Sequence, residues 1–181
     1  MCSGDEYDLH TVFHGASFSS FDSSYNGNNL YVSTCVCGYG NRGPSTISVE
    51  PTTGGHAKVF YASAKYAITQ VRAVTPTTLL FTVFNAPFNG STVDTSHNGL
   101  WKINTNGTGL TRLAKGNIDM DAETQFPWSN VSRNQSLYAL QEFGNSPQAL
   151  LIGSLNSGTP TTIATAPNQQ TVLQNVGWTT M

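Results

Sequence analysis

A chain of 181 residues is long enough to bury one sizeable core, and a single architecture should account for all of it. Charged residues make up only 10% and the formal net charge is -2, with eight Lys and Arg scattered singly, so no basic stripe exists to neutralise a nucleic-acid backbone. Ser, Thr, Asn and Gly surround short apolar runs that are too rich in aromatic and β-branched residues for a disordered tail, which predicts many short strands joined by polar turns.

The N-terminal residues Met1-Cys2-Ser3-Gly4-Asp5-Glu6 lack the basic-then-apolar order of a signal peptide. No apolar stretch approaches the roughly 18 to 20 residues of a membrane span. Tyr7-Asp8-Leu9-His10-Thr11-Val12-Phe13 then reads as a strand. Next, Phe21 follows a polar segment and opens a unit: Leu30-Tyr31-Val32 gives a second strand and Ile47-Ser48-Val49 a third. After the turn Pro51-Thr52-Thr53-Gly54-Gly55, Ala57-Lys58-Val59-Phe60-Tyr61 gives a fourth.

The same order returns from Val71, through Leu80-Phe81-Thr82-Val83-Phe84 and Leu100-Trp101-Lys102-Ile103, to Leu110-Thr111-Arg112-Leu113-Ala114. It returns again from Trp128, through Leu137-Tyr138-Ala139-Leu140 and Leu150-Leu151-Ile152, to Thr161-Thr162-Ile163-Ala164, and Trp178 begins it once more. The anchors at 21, 71, 128 and 178 are spaced 50, 57 and 50 apart. Four antiparallel strands per unit of this length make a propeller blade.

The expected fold is therefore all-β, a partial β-propeller of about three four-stranded blades, with a β-sandwich as the alternative. Residues 1–17 would hold the outer strand of a preceding blade, 18–62 blade one, 63–115 blade two, 116–166 blade three, and 167–181 the first strand of a further blade. Three blades do not close a ring, so the missing ones are expected from more chain or from another subunit.

The stretches Asn98-Gly99-Leu100-Trp101-Lys102-Ile103-Asn104-Thr105-Asn106-Gly107-Thr108-Gly109-Leu110-Thr111-Arg112-Leu113 and Phe126-Pro127-Trp128-Ser129 resemble the repeat of TolB-type (WD40-like) propellers. Blades of that family read aromatic-Ser-Pro-Asp-Gly, an apolar strand, then a second apolar strand with an Asp-Gly turn and a Leu-Thr strand. This chain departs from the pattern at the Pro-Asp-Gly turn, where it carries Tyr25-Asn26-Gly27-Asn28-Asn29, Thr75-Pro76-Thr77 and Asn130-Val131-Ser132-Arg133-Asn134. The resemblance implies a binding or scaffold module, recognising a protein or a small polar ligand in an extracellular or periplasmic setting.

In a meandering blade the connections from second to third strand and from fourth to the next first strand emerge on one face. That face would carry residues 35–45, 85–98, 115–124 and 142–147, and long loops on one side are where repeat folds place binding. Tyr39 and Arg42 lie in the first of these loops, and Phe88, Asp94 and His97 in the second; the pairing of titratable groups with aromatics makes these five the candidate ligand contacts. Asp119, Asp121 and Glu123 alternate along the next, so an extended backbone would aim three carboxylates to one side, where calcium would suit them. No other cofactor is expected.

Gly38-Tyr39-Gly40-Asn41-Arg42-Gly43 matches a nucleotide-binding pattern in form, but a proline and a strand follow it where a helix N-terminus is needed. Cys2, Cys35 and Cys37 cannot all pair within one chain, and Cys35 and Cys37 are best read as small buried side chains. Asn-x-Ser/Thr triplets begin at Asn89, Asn106, Asn130 and Asn134, in a composition where chance produces them readily. No nucleophile elbow or other catalytic motif is present. A binding module is thus the leading expectation, with a propeller accompanying a hydrolase or peptidase domain outside this chain, or a carbohydrate-recognition protein, as alternatives.

Overall fold

The structure, a computed structural model, describes residues 17–36, 42–87, 90–119, 131–143, 148–156, 159–168, 170, 171 and 173. Every regular element among them is a strand. The first sheet runs β1 (Ser17–Ser23), β2 (Asn29–Val36), β3 (Arg42–Pro51) and β4 (Lys58–Ser63). The second runs β5 (Ile68–Thr75), β6 (Thr78–Val83), β7 (Gly99–Asn104) and β8 (Thr111–Lys115). The third contains β9 (Asn117–Asp119), β10 (Leu137–Phe143), β11 (Ala149–Ser154) and β12 (Thr161–Thr165). All strand pairs are antiparallel neighbours in chain order, so the molecule is three four-stranded meanders in an open, propeller-like array.

Successive side chains of a strand point to opposite faces, so a sheet enclosed on both sides needs apolar residues at every position. β6 meets that requirement. Its Leu79, Phe81 and Val83 pack with Val71 and Ile103 against Tyr31 and Ile47 of the first sheet. Its Leu80 packs with Leu100 and Leu113 against Tyr138, Leu140 and Leu151 of the third. The run Thr-Leu-Leu-Phe-Thr-Val is thus near-continuous in burial because the second sheet lies between the other two.

The inner strands β1 and β5 lie side by side in parallel. The Val71 N–H donates to Ser20 Oγ at 3.3 Å and the Ala73 N–H to Asp22 Oδ2 at 2.9 Å, each pair 51 residues apart. Between them Arg72 Nη1 donates to the Phe21 carbonyl at 3.2 Å. Side chains of one blade therefore satisfy backbone donors of the next, where a shared sheet would have used a ladder.

The turns after the first inner strand and before β10 are equivalent. The Asn29 N–H donates to Ser24 Oγ at 2.9 Å, as the Leu137 N–H does to Ser132 Oγ at 3.0 Å. Ser24 Oγ donates to Asn26 Oδ1 and Ser132 Oγ to Asn134 Oδ1, both at 2.8 Å. Gly27 occupies the left-handed position in the first turn, with φ 73°, and Gln135 in the second, with φ 56°. A short polar side chain two residues after a serine thus does the work of the aspartate in the Pro-Asp-Gly pattern.

The inner edge of the third sheet differs from expectation. Residues 115–124 were expected as a loop, yet β9 lies within them, pairing with Gln141, Glu142 and Phe143 of β10. The other half of β10 is bridged by Val131, opposite Tyr138. Ile118 is buried beside Tyr138 and Leu140, and this one apolar residue between two polar ones is too short a signal for periodicity to register. Trp128, the anchor expected to open this unit, lies outside the described residues, as do the strand at 7–13 and Trp178.

Cys35 is buried at 1% exposure, as a small buried side chain should be, and it is disulfide-bonded. Cys2 and Cys37 both lie outside the described residues. Among the described residues no helix is long and apolar enough to cross a membrane.

Candidate functional site

The long connection between β6 and β7 is built on two buried asparagines. The Asn85 N–H donates to Asn98 Oδ1 at 2.8 Å and Asn98 Nδ2 to the Asn85 carbonyl at 3.0 Å, which closes the base of the loop. Asn85 Oδ1 accepts from the Ala67 N–H and Asn85 Nδ2 donates to the Asp94 carbonyl, each at 2.8 Å. Asn98 Nδ2 also donates to Asn117 Oδ1 at 2.9 Å. These bonds pair backbone groups that an irregular segment would otherwise leave unsatisfied, and they fix the loop relative to both flanking connections.

On this base the loop presents Asp94 and His97. The His97 ring stacks on Tyr66, with centroids 4.1 Å apart and planes at 20°, and lies parallel to Trp101 at 6.1 Å. Trp101 Nε1 donates to the His97 carbonyl at 3.0 Å. The Arg112 guanidinium sits 5.4 Å from the Trp101 centroid and donates to the Ser96 carbonyl. Tyr66 Oη reaches Asp94 Oδ2 at 3.4 Å.

Asp94 accepts from the Ser96 N–H at 2.9 Å. The Ser96 hydroxyl and N–H, with His97 nearby, hold its carboxyl below the usual range. Partial desolvation and the Asp94 charge push the Tyr66 phenol up. Ser96 Oγ lies 2.9 Å from His97 Nδ1, so the order is aspartate to serine to histidine. A nucleophile relay needs the carboxylate on the imidazole and the imidazole on the serine. What this exposed arrangement offers is a fixed carboxylate beside a stacked imidazole and phenol, suited to holding a polar group.

Arg42 opens β3 and is exposed. Its neighbour Gly43 donates to the Lys65 carbonyl at 3.3 Å, and a Cβ at Gly43 would come within 2.7 Å of the Lys65 backbone. That close approach brings the start of β3 to the segment carrying Tyr66, so Arg42, Asp94 and His97 share one end of the array. Tyr39 and Phe88 lie outside the described residues. Asp119 ends β9, while Asp121 and Glu123 lie outside the described residues. Among the described residues no three ligating side chains cluster as a metal site.

Tyr66, Trp101 and Arg112 were not among the candidate contacts read from the sequence. The stack joins residues from a β4–β5 connection, a long loop and two strands, and no local pattern marks it. The aromatic residue just ahead of β5 was the one available signal.

No family model matches the sequence, and no curated protein matches it. Among solved structures, a chain of the nidogen–laminin complex matches with TM-score 0.55 and 8% identity, over 84% of this chain and 49% of that one. An oligogalacturonate lyase from Vibrio parahaemolyticus matches with TM-score 0.55 and 9% identity, over 86% of this chain and 43% of that one. This chain thus spans under half of the length of each of these two solved chains. At such identities the likeness is one of fold.

Proposed function

We propose that this chain is a non-catalytic binding module of the TolB-like propeller type, recognising a protein or a polar ligand through the face that carries residues 85–98. The observation that supports this most is the clamped loop: two buried asparagines spend four side-chain bonds on holding Asp94 and His97 against Tyr66. Such pre-ordering lowers the entropy lost on binding. An extracellular or periplasmic setting belongs to the same reading, supported by the disulfide at Cys35.

The test is selection of phage-displayed random peptides, with a glycan array in parallel, on the whole chain and on Asp94→Asn and His97→Ala. The expected result is binders that lose affinity about tenfold or more with either substitution, the scale of one charge-assisted hydrogen bond. Failure to select any binder, or binders indifferent to both substitutions, would overturn the reading.

A further inference from the structure

At the opposite end of the strands, where the inner edges converge, lies a cavity of about 440 Å³. Its walls come from all three sheets or their turns: Asp22 from β1, Arg72 from β5, Tyr25 from the first turn, and Ser132, Arg133 and Gln135 from the equivalent turn before β10. None of these residues belongs to the face described above. We propose that this cavity is a second binding site, taking a small polyhydroxylated anion.

Charge and shape lead to that ligand. Two guanidiniums in one cavity suit a carboxylate or phosphate: the exposed Arg133 can engage it by paired N–H donors, while Arg72, whose Nη1 is spent on backbone carbonyls, adds its positive charge. Asp22 supplies an acceptor for hydroxyl groups and the Gln135 amide a donor and an acceptor, and Ala73, Val74 and Val131 give an apolar wall for a ring. The volume is that of a site for one small molecule rather than a protein segment.

The walls are also held in place. Asp22 Oδ2 is fixed by the Ala73 N–H at 2.9 Å, and Arg72 Nη1 by the Phe21 and Val71 carbonyls at 3.2 and 3.0 Å. Ser132 is buried at 8% exposure and receives the Leu137 N–H, which fixes the turn bearing Arg133.

Gln135 lines the same cavity. The matching position in the first turn is Gly27, which adopts a left-handed backbone without steric cost. Gln135 adopts that backbone, at φ 56°, with a side chain that disfavours it. A strained residue where glycine would serve, lining a cavity, is explained by a use for its amide.

The experiment is calorimetric titration of the whole chain with glucuronate, glucose 6-phosphate and glucose. Binding of at least one of the two anions is expected, with glucose much weaker, and which anion binds identifies the acid group. Arg133→Gln should weaken it about tenfold or more. Gln135→Gly should weaken it as well while leaving thermal stability equal or higher, which separates a lost contact from a lost fold. Asp94→Asn should leave it unchanged, so this site and the loop face fail independently. Absence of binding by both anions, equal binding of glucose, or indifference to both Arg133→Gln and Gln135→Gly would overturn the proposal.

Discussion

Tyr138 is fully buried and lies directly across from Gly153 on β11. A Cβ at Gly153 would collide with its ring. The ring therefore occupies space left by the glycine, and its hydroxyl donates to the Leu113 carbonyl at 3.2 Å, tying the third sheet to the second. Burial pushes the phenol up to about 12 from 10.0. A raised acid favours the neutral form in the folded state, so its contribution is complete below pH 10 and is lost as pH rises towards 12. Urea unfolding should show a loss of stability across that interval which Tyr138→Phe reduces. The same substitution should cost about 1 kcal/mol at neutral pH, and Gly153→Ala about 1 to 3 kcal/mol by overpacking. The buried strand bearing Tyr138 was legible as an apolar run. The role of Gly153 was not, because it depends on a partner across the sheet.

At the scale of the element, β6 shows how one strand serves two cores. Phe81 faces Tyr61 and Trp101, with ring centroids at 5.3 and 6.5 Å, while Leu80 belongs with Tyr138 and Leu151. Adjacent in sequence, the two residues should report on different interfaces. In heteronuclear spectra, Leu80→Ala should move the resonances of Tyr138 and Leu151, and Phe81→Leu those of Tyr61 and Trp101. Crossed or identical patterns would contradict the layered packing. Leu80→Ala should also cost about 2 to 5 kcal/mol, the range for truncating a buried leucine. Strands such as β6, β7 and β10 were legible because each shows a run of apolar residues between turn formers. β9 was not, since Asn117-Ile118-Asp119 has a single apolar residue and gains its strand geometry from β10. The turns at 24–29 and 132–137 share their bonding while sharing few residue types beyond serine and asparagine, which is why their equivalence emerged from geometry.

Across the whole molecule, the loop face could be anticipated from connection length, whereas the cavity could not: Asp22, Arg72 and Arg133 meet only because three units converge. The same layering predicts the behaviour of a shortened chain. A piece ending at Lys115 would keep the core between the first two sheets but leave Leu80, Leu100 and Leu113 without their partners. It should bind the dye ANS more strongly than the whole chain and aggregate more readily; a cooperatively unfolding, dye-indifferent piece would show that two sheets suffice. The enclosed position of the second sheet also bears on synthesis. As the chain leaves the ribosome, the first two sheets can close on each other, yet the far side of β6 and β7 waits for the next 40 residues, through Leu155. At about 5 to 20 residues per second that interval lasts some seconds, and a nascent chain in it would present a bare leucine surface to whatever chaperone stands at the exit.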